Sequence, residues 1–226
     1  MSGASSADSF LSIKPSKRNR LGPSISSPGT PLRLVLVGDP LCGKTAIARR
    51  FAYGDFVPVW GQFGAFKYDM ALTTDRSGKT IEIDFWDAAG QPEFCPSRFE
   101  AYLHLQCILI CFSVGMKDSF DNVADVWIQE VLTRSRRVPI LLIGYKTNLR
   151  ASPRNSEMIP LGAPVLMEEY QGVETAASIG AEKYLECSAK DGDGVVQVFG
   201  AAIQLALSHR RKERRKRSFF RRFASH

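Results

Sequence analysis

No apolar run in this chain approaches the roughly 18 residues that a membrane-crossing helix needs, and the N-terminal segment holds no continuous apolar stretch of the kind an export signal carries. Those absences predict a protein that is soluble, or at most peripheral at a membrane. The five cysteines, Cys42, Cys95, Cys107, Cys111 and Cys187, form no C-x-x-C pair, which speaks against a zinc site or disulfide scaffold and for reduced thiols inside a cell. His104, His209 and His226 have no ligand partners at metal-binding spacing. No internal repeat is visible. Between Ala46 and Leu72 there is neither serine nor threonine.

The net charge of +7 is unevenly spread. From His209 onward nine Lys/Arg face one Glu, a charge of +8, and Met1 to Pro31 carries +3, which leaves −4 for Leu32 to Ser208. Basicity is therefore a property of the ends. A membrane-surface tether, a nuclear address and a nucleic-acid contact are the readings such ends support.

Residues 1–31 are rich in Ser, Pro and Gly with few aromatics, and they bury too little surface to offset ordering, so a disordered arm is expected. From Leu32 the pattern alternates. Strands are predicted at Leu34 to Val37, Lys67 to Thr73, Ile81 to Trp86, Ile108 to Val114, Ile140 to Ile143 and Tyr184 to Cys187. Helices are predicted near Thr45 to Tyr53, Ser119 to Thr133, Glu168 to Ile179 and Gly194 to Leu207. Strands such as Ile140-Leu141-Leu142-Ile143 are apolar throughout, which implies burial on both faces by covering helices and an α/β domain with a mainly parallel, doubly wound sheet. In such sheets the ligand sits over the carboxyl ends of the strands.

The loops after those strands carry the chemistry. Gly38-Asp39-Pro40-Leu41-Cys42-Gly43-Lys44-Thr45 is a G-x-x-x-x-G-K-[ST] loop between a strand and a helix. Successive main-chain N–H groups and a helix N-terminus make such a loop a phosphate cradle, with Lys44 for the outer phosphates and the Thr45 hydroxyl for Mg²⁺. After the strand ending at Trp86 comes Asp87-Ala88-Ala89-Gly90-Gln91. There the aspartate is suited to hold Mg²⁺ through water, Gly90 to offer its N–H to a terminal phosphate, and Gln91 to orient an attacking water. Two further loops follow later strands: Gly144-Tyr145-Lys146-Thr147-Asn148 and Glu186-Cys187-Ser188-Ala189-Lys190.

Taken together in this order and spacing, the four motifs resemble those of a Ras-like small GTPase, and more closely its Rho branch, over about Leu32 to Leu207. Gly38-Asp39, the Val126-Trp127-x-x-Glu130-Val131 segment and the extra stretch over 151–164 are Rho-like traits. The resemblance implies a P-loop small GTPase fold, a mostly parallel six-stranded sheet with helices on both faces, and three parts: an arm (1–31), a G domain (32–208) and a basic-aromatic tail (209–226). It implies GTP or GDP with Mg²⁺ as ligands, and exchange factors, GTPase-activating proteins and effectors as partners. It further implies that the loop 38–45 holds the phosphates, that Asp87, Ala88, Ala89, Gly90 and Gln91 sense the terminal one, and that Lys146 stacks along the base. Ser188, Ala189 and Lys190 would contact that base by backbone and side chain. Gln91 positioning water and Lys44 stabilising transferred charge are the implied catalytic pair, and Thr45 and Asp87 the implied metal ligands.

Three departures qualify that expectation. Where the family's base-reading motif is Asn-Lys-x-Asp, this chain has Tyr145 and Asn148; an amide in place of the carboxylate loses at least one charge-assisted hydrogen bond to guanine, about 1.5–3 kcal/mol or ten- to a hundredfold in affinity. The first switch lacks the threonine that binds Mg²⁺ and reads the terminal phosphate, since Val57-Pro58-Val59-Trp60-Gly61-Gln62-Phe63-Gly64 puts apolar groups there. A normal on/off cycle is therefore not expected. Pro40 and Leu41 replace a Gly-Ala pair, and the proline removes an N–H beside the space where Gln91 and an arginine finger would work, so impaired hydrolysis is expected. Trp86 and Trp127 are read as core residues, whereas Trp60 has three readings: covering the nucleotide edge, meeting a partner, or packing.

The chain ends without the cysteine that a prenylation signal requires. Instead Arg210 to Arg217 is strongly basic and is followed by Phe219, Phe220 and Phe223. If helical, Phe219 and Phe223 lie one turn apart, and basic residues near an anionic leaflet contribute about 1 kcal/mol each. The first reading is a tether over 210–223 to the inner face of the plasma membrane or an internal membrane. Nuclear import or RNA contact, and a plain solvated tail, are the alternatives. Function is then an atypical Rho-like GTPase with slow hydrolysis that recruits effectors, or a weakly binding pseudo-GTPase scaffold located by its tail. A P-loop kinase with Arg134, Arg136 and Arg137 as a lid is disfavoured by the Asp87 to Gln91 and Ser188 to Lys190 motifs.

Overall fold

The computed structural model describes residues 31–57, 66–73, 80–135, 137–151 and 165–223. The N-terminal arm up to residue 30, the switch segment from Pro58 through Gly64 with Trp60, and the insert from 152 to 164 lie outside the described residues.

Strand β1 (Leu32–Gly38) is apolar at almost every position because both of its faces are covered. Leu32, Leu34 and Leu36 point into one layer, Val35 and Val37 into the other, as the period of two requires. With β2 (Phe66–Thr73), β3 (Thr80–Asp87), β4 (Cys107–Ser113), β5 (Ile140–Tyr145) and β6 (Lys183–Cys187) it forms a six-stranded sheet of order β2-β3-β1-β4-β5-β6. Only the β2–β3 pair is antiparallel. The six strands and their mostly parallel arrangement are those the alternating pattern predicts.

One layer is built from α1 (Lys44–Tyr53) and α7 (Val195–Phe223), with Ile47, Phe51, Val198, Phe199 and Ile203 on the sheet. Phe51 and Phe199 stack with ring centroids 3.8 Å apart, and Phe85 meets Phe199 edge-on at 5.0 Å. Truncating such a buried ring to alanine costs about 3–5 kcal/mol. The opposite layer holds α2 (Cys95–Ala101), α4 (Ile128–Arg134) and α6 (Glu169–Ser178), with Tyr102, Trp127, Ile128, Val131 and Ala176 packed inward. Helices thus cover both faces.

Three helical features differ from the sequence expectation. The helix expected over Ser119 to Thr133 is in fact α3 (Lys117–Asn122), a wide π turn (Val123–Trp127) and then α4. A turn that closes after five residues rather than four brings Trp127 back over Asn122, and a regular helix would splay the two apart. A short 3₁₀ turn (Pro92–Phe94) and α2 were not anticipated, although Pro92 and Pro96 stand at first-turn positions, where proline's missing N–H costs nothing. Finally, α7 does not end near Leu207 but runs on to Phe223. No glycine or proline interrupts the segment after Gly200, and its Arg and Lys residues are good helix formers. The one-turn helix α5 (Asn148–Ala151) completes the set.

Candidate nucleotide site

The carboxyl end of β1 delivers the chain into the 38–45 loop, which turns through Leu41 at φ +62° and Gly43 at φ +122° before α1 begins. Helix α1 starts without a capping side chain and without an acidic residue in its first turn. Its leading N–H groups and the positive end of its dipole therefore face the loop's hollow, the arrangement an anion requires. Lys44, only 6% exposed, donates through Nζ to the carbonyls of Gly38 and Asp39, 2.7 Å each, so its ammonium is fixed across the loop.

Asp87 ends β3, whose register places it beside Leu36 of β1. Thr45 donates its hydroxyl to Asp87 Oδ2 at 2.5 Å, and among the described residues nothing donates to the buried Asp87 Oδ1. Burial pushes the carboxyl up to about 6, against the lowering pull of Lys44 and of the Thr45 hydrogen bond. A buried carboxylate oxygen without a donor is costly. Two hard oxygen donors, one of them unsatisfied, at the foot of a phosphate-type loop suit a small divalent cation such as Mg²⁺. The residues present thus fit the implied metal. Gly90 seals the other side: a Cβ there would lie 2.5 Å from both the Gly38 carbonyl oxygen and the Pro40 nitrogen. The Asp87–Gln91 loop therefore lies directly on the phosphate loop, with Ala88 and Ala89 buried behind it.

Asp39 contributes to the cradle through its main chain alone. Its carboxylate turns away and accepts from Trp127 Nε1 at 2.6 Å and Asn122 Nδ2 at 2.8 Å. Trp127 is a core residue, 2% exposed, as its composition suggested, but it is also an anchor for the phosphate loop. Leu41 is 69% exposed at the loop's rim, and Cys42 is fully buried beneath it, its thiol pushed up by that burial.

After β5, Lys146 also stands at positive φ, +65°, and donates Nζ to the Leu41 carbonyl at 2.7 Å. Its stem runs past Gly43, and burial lowers its ammonium from the usual range. Tyr145 does not face this pocket: it is 2% exposed, its ring lies under Gly43, and its hydroxyl accepts from Cys111 Sγ at 3.2 Å. It acts as a floor rather than a ligand. The Thr147 N–H bonds the Cys187 carbonyl, joining the loops after β5 and β6, while Ala189 is half-buried and Lys190 exposed. Ser188 Oγ lies 3.2 Å from Asn148 Oδ1 and 3.0 Å from Asp191 Oδ2, and accepts from the Asp191 N–H. Asn148 and Asp191 thus share one serine.

Sequence reasoning missed Arg98. Buried at 4% exposure, it donates Nη1 to the carbonyls of Ala89 (2.9 Å) and Gln91 (2.8 Å), and grips Glu130 through Nε and Nη2. Burial alone would raise the Glu130 carboxyl, yet the hydrogen bonds from Arg98 and Tyr102 bring it below its ordinary value. The available signal was Glu130 itself, one acidic residue amid the inward-facing Trp127, Ile128 and Val131.

A strand, a phosphate-type loop, a lysine and a Thr–Asp pair at the carboxyl edge of a mostly parallel sheet define a P-loop nucleotide-binding domain. A model of the Ras family matches residues 33–208. The chain is 40% identical over 185 residues to the GTP-binding protein RHO1 of Candida albicans, covering 82% of this chain and 92% of that protein. It is 42% identical over 183 residues to rho1 of Schizosaccharomyces pombe, covering 80% and 89%, and 38% identical over 180 residues to RHO1 of Saccharomyces cerevisiae, covering 80% and 85%. This chain belongs to the Ras family of small GTPases, within its Rho branch.

Proposed function

We propose that this chain binds GTP and GDP together with Mg²⁺ and signals by recruiting effector proteins, with slow hydrolysis. The observation that carries the reading is the Thr45–Asp87 pair, with its unpartnered buried oxygen, at the foot of the uncapped α1. The main chain of residues 38–45 and Lys44 would hold the phosphates, and Thr45 and Asp87 the cation. Bound Mg²⁺ supplies charge neutralisation between the outer phosphates. Lys146 would lie along the base, with Asn148 and Ser188 at its edge. Gln91 would orient water in a space that the Pro40 ring adjoins, since Gly90 lies against the Pro40 nitrogen. That crowding, and the absence of a threonine between Ala46 and Leu72, support slow turnover and a weak response to GTPase-activating proteins.

The tail adds location. Helix α7 leaves the core after Leu207 and carries its basic stretch outward with Phe219 and Phe220 58% and 69% exposed. These features support attachment to an anionic membrane surface, and hence a peripheral cytoplasmic protein. The second reading, a weakly binding scaffold, is favoured by Tyr145 being turned into the core and by Asn148 standing where a carboxylate would read guanine. Titration of the full chain with GDP, GTP and xanthosine triphosphate in Mg²⁺ separates the two. Dissociation constants below about 100 µM, or −5.5 kcal/mol, support the nucleotide reading, and no binding of any of the three leaves only the scaffold.

A further inference from the structure

The loop that reads a terminal phosphate in this fold is held here by the protein itself. Arg98 Nη1 gathers the carbonyls of Ala89 and Gln91, at 2.9 and 2.8 Å, on either side of Gly90. The same guanidinium is locked by Glu130, Nε to Oε1 at 2.9 Å and Nη2 to Oε2 at 2.7 Å, and Tyr102 adds the carboxylate's third donor, to Oε1 at 2.8 Å. Four donated hydrogen bonds fix Arg98 in a buried setting, and the paired ones are charge-assisted and planar, the strongest kind available to a side chain. Arg98 also lies over the Trp127 ring, 5.2 Å from its centroid. Trp127 in turn donates to Asp39, between Gly38 and Pro40 of the phosphate loop. Both walls of the phosphate hollow are thereby referenced to one helical segment, through Arg98 on one side and Asp39 on the other. They meet again where Gly90 touches Gly38 and Pro40.

We propose that Arg98, held by Glu130, is a positioning residue for Gln91, and that it keeps the 88–91 main chain in one conformation whichever nucleotide is bound. A loop ordered by phosphate contacts relaxes when the terminal phosphate leaves. One ordered by a buried guanidinium does not, because none of its holding bonds involves the ligand. The consequence for nucleotide cycling rests on the proposed function. The pre-ordering of the loop does not.

The test is amide hydrogen exchange on the full chain, as purified and with Mg²⁺ plus GDP or a non-hydrolysable GTP analogue. Exchange over residues 88–95 is expected to agree within about twofold between the two nucleotides, and a difference of about tenfold or more overturns the proposal. Glu130→Gln is expected to speed exchange there by about tenfold or more while leaving β5 and β6 unchanged, and Glu130→Asp to recover part of the protection. Unchanged exchange over 88–95 in Glu130→Gln overturns the proposal too. Should that variant fail to fold, Tyr102→Phe removes one bond without stranding a charge. It is expected to speed exchange about two- to fivefold, and no change contradicts the clamp. In single-turnover hydrolysis Glu130→Gln is expected to lower the rate with GDP affinity held within about twofold, a split that a general loss of structure would not give. If no nucleotide binds at all, the proposed function fails while the Glu130 comparison still decides the clamp.

Discussion

The Thr45 hydroxyl donates to Asp87 Oδ2 across 2.5 Å, and among the described residues the buried Asp87 Oδ1 has no partner. A threonine at the head of α1 and an aspartate at the end of β3 are thus joined at the point where the phosphate loop closes, and the pair is under-satisfied.

A pH dependence follows for the protein in EDTA. Burial raises the Asp87 carboxyl from 3.8 to about 6. The folded state therefore holds this proton more tightly than the unfolded chain, and the stabilisation is complete below pH 4 and lost as pH rises through 6. At pH 7.5 the ionised group costs about 2–3 kcal/mol. Urea denaturation of Asp87→Asn in EDTA should show a gain of that order at pH 7.5 that vanishes near pH 4. A loss at both pH values would contradict the assignment.

Base affinity should respond to two acidic positions together. Asn148→Asp supplies a carboxylate at the proposed base edge and should tighten GDP binding about ten- to a hundredfold. Asp191 shares Ser188 with that position, so like-charge repulsion should blunt the gain. Asn148→Asp with Asp191→Asn is expected to bind GDP about two- to fivefold more tightly than Asn148→Asp alone. Calorimetric titration measures both, and equal affinities for wild type and the double variant would dissociate Asn148 from the base.

A chain ending at Ser208 keeps every α7 residue buried in the core, the last being Ala206, and should fold. It is expected to lose sedimentation with phosphatidylserine vesicles, whereas full-length binding should fall as salt is added. Equal binding by the two chains would remove the membrane role of 210–223.

Much of this architecture is legible in the sequence, because β1, β4 and β5 are apolar on both faces and Gly38 to Thr45 has the spacing of a phosphate loop. The π turn was not legible: Val123 to Trp127 has ordinary helical composition, and only the shared partner Asp39 draws Asn122 and Trp127 to one side. The extension of α7 was hidden by its charge, since a basic run reads equally as a solvated coil. Tyr145 and Arg98 show the limit at the site itself. Each stands in or beside a recognisable motif, and its direction, into the core or onto the Gln91 carbonyl, depends on partners such as Cys111 and Glu130 that are distant in sequence.

The most direct test of the proposal that Thr45 and Asp87 hold a cation beneath a nucleotide's phosphates is the release rate of a fluorescent GDP analogue from the full chain, with Mg²⁺ and after EDTA. Chelation should speed release by about tenfold or more, and Asp87→Asn should release at the fast rate in either condition. Release that ignores EDTA in the wild type, or an analogue that never binds, would contradict the account.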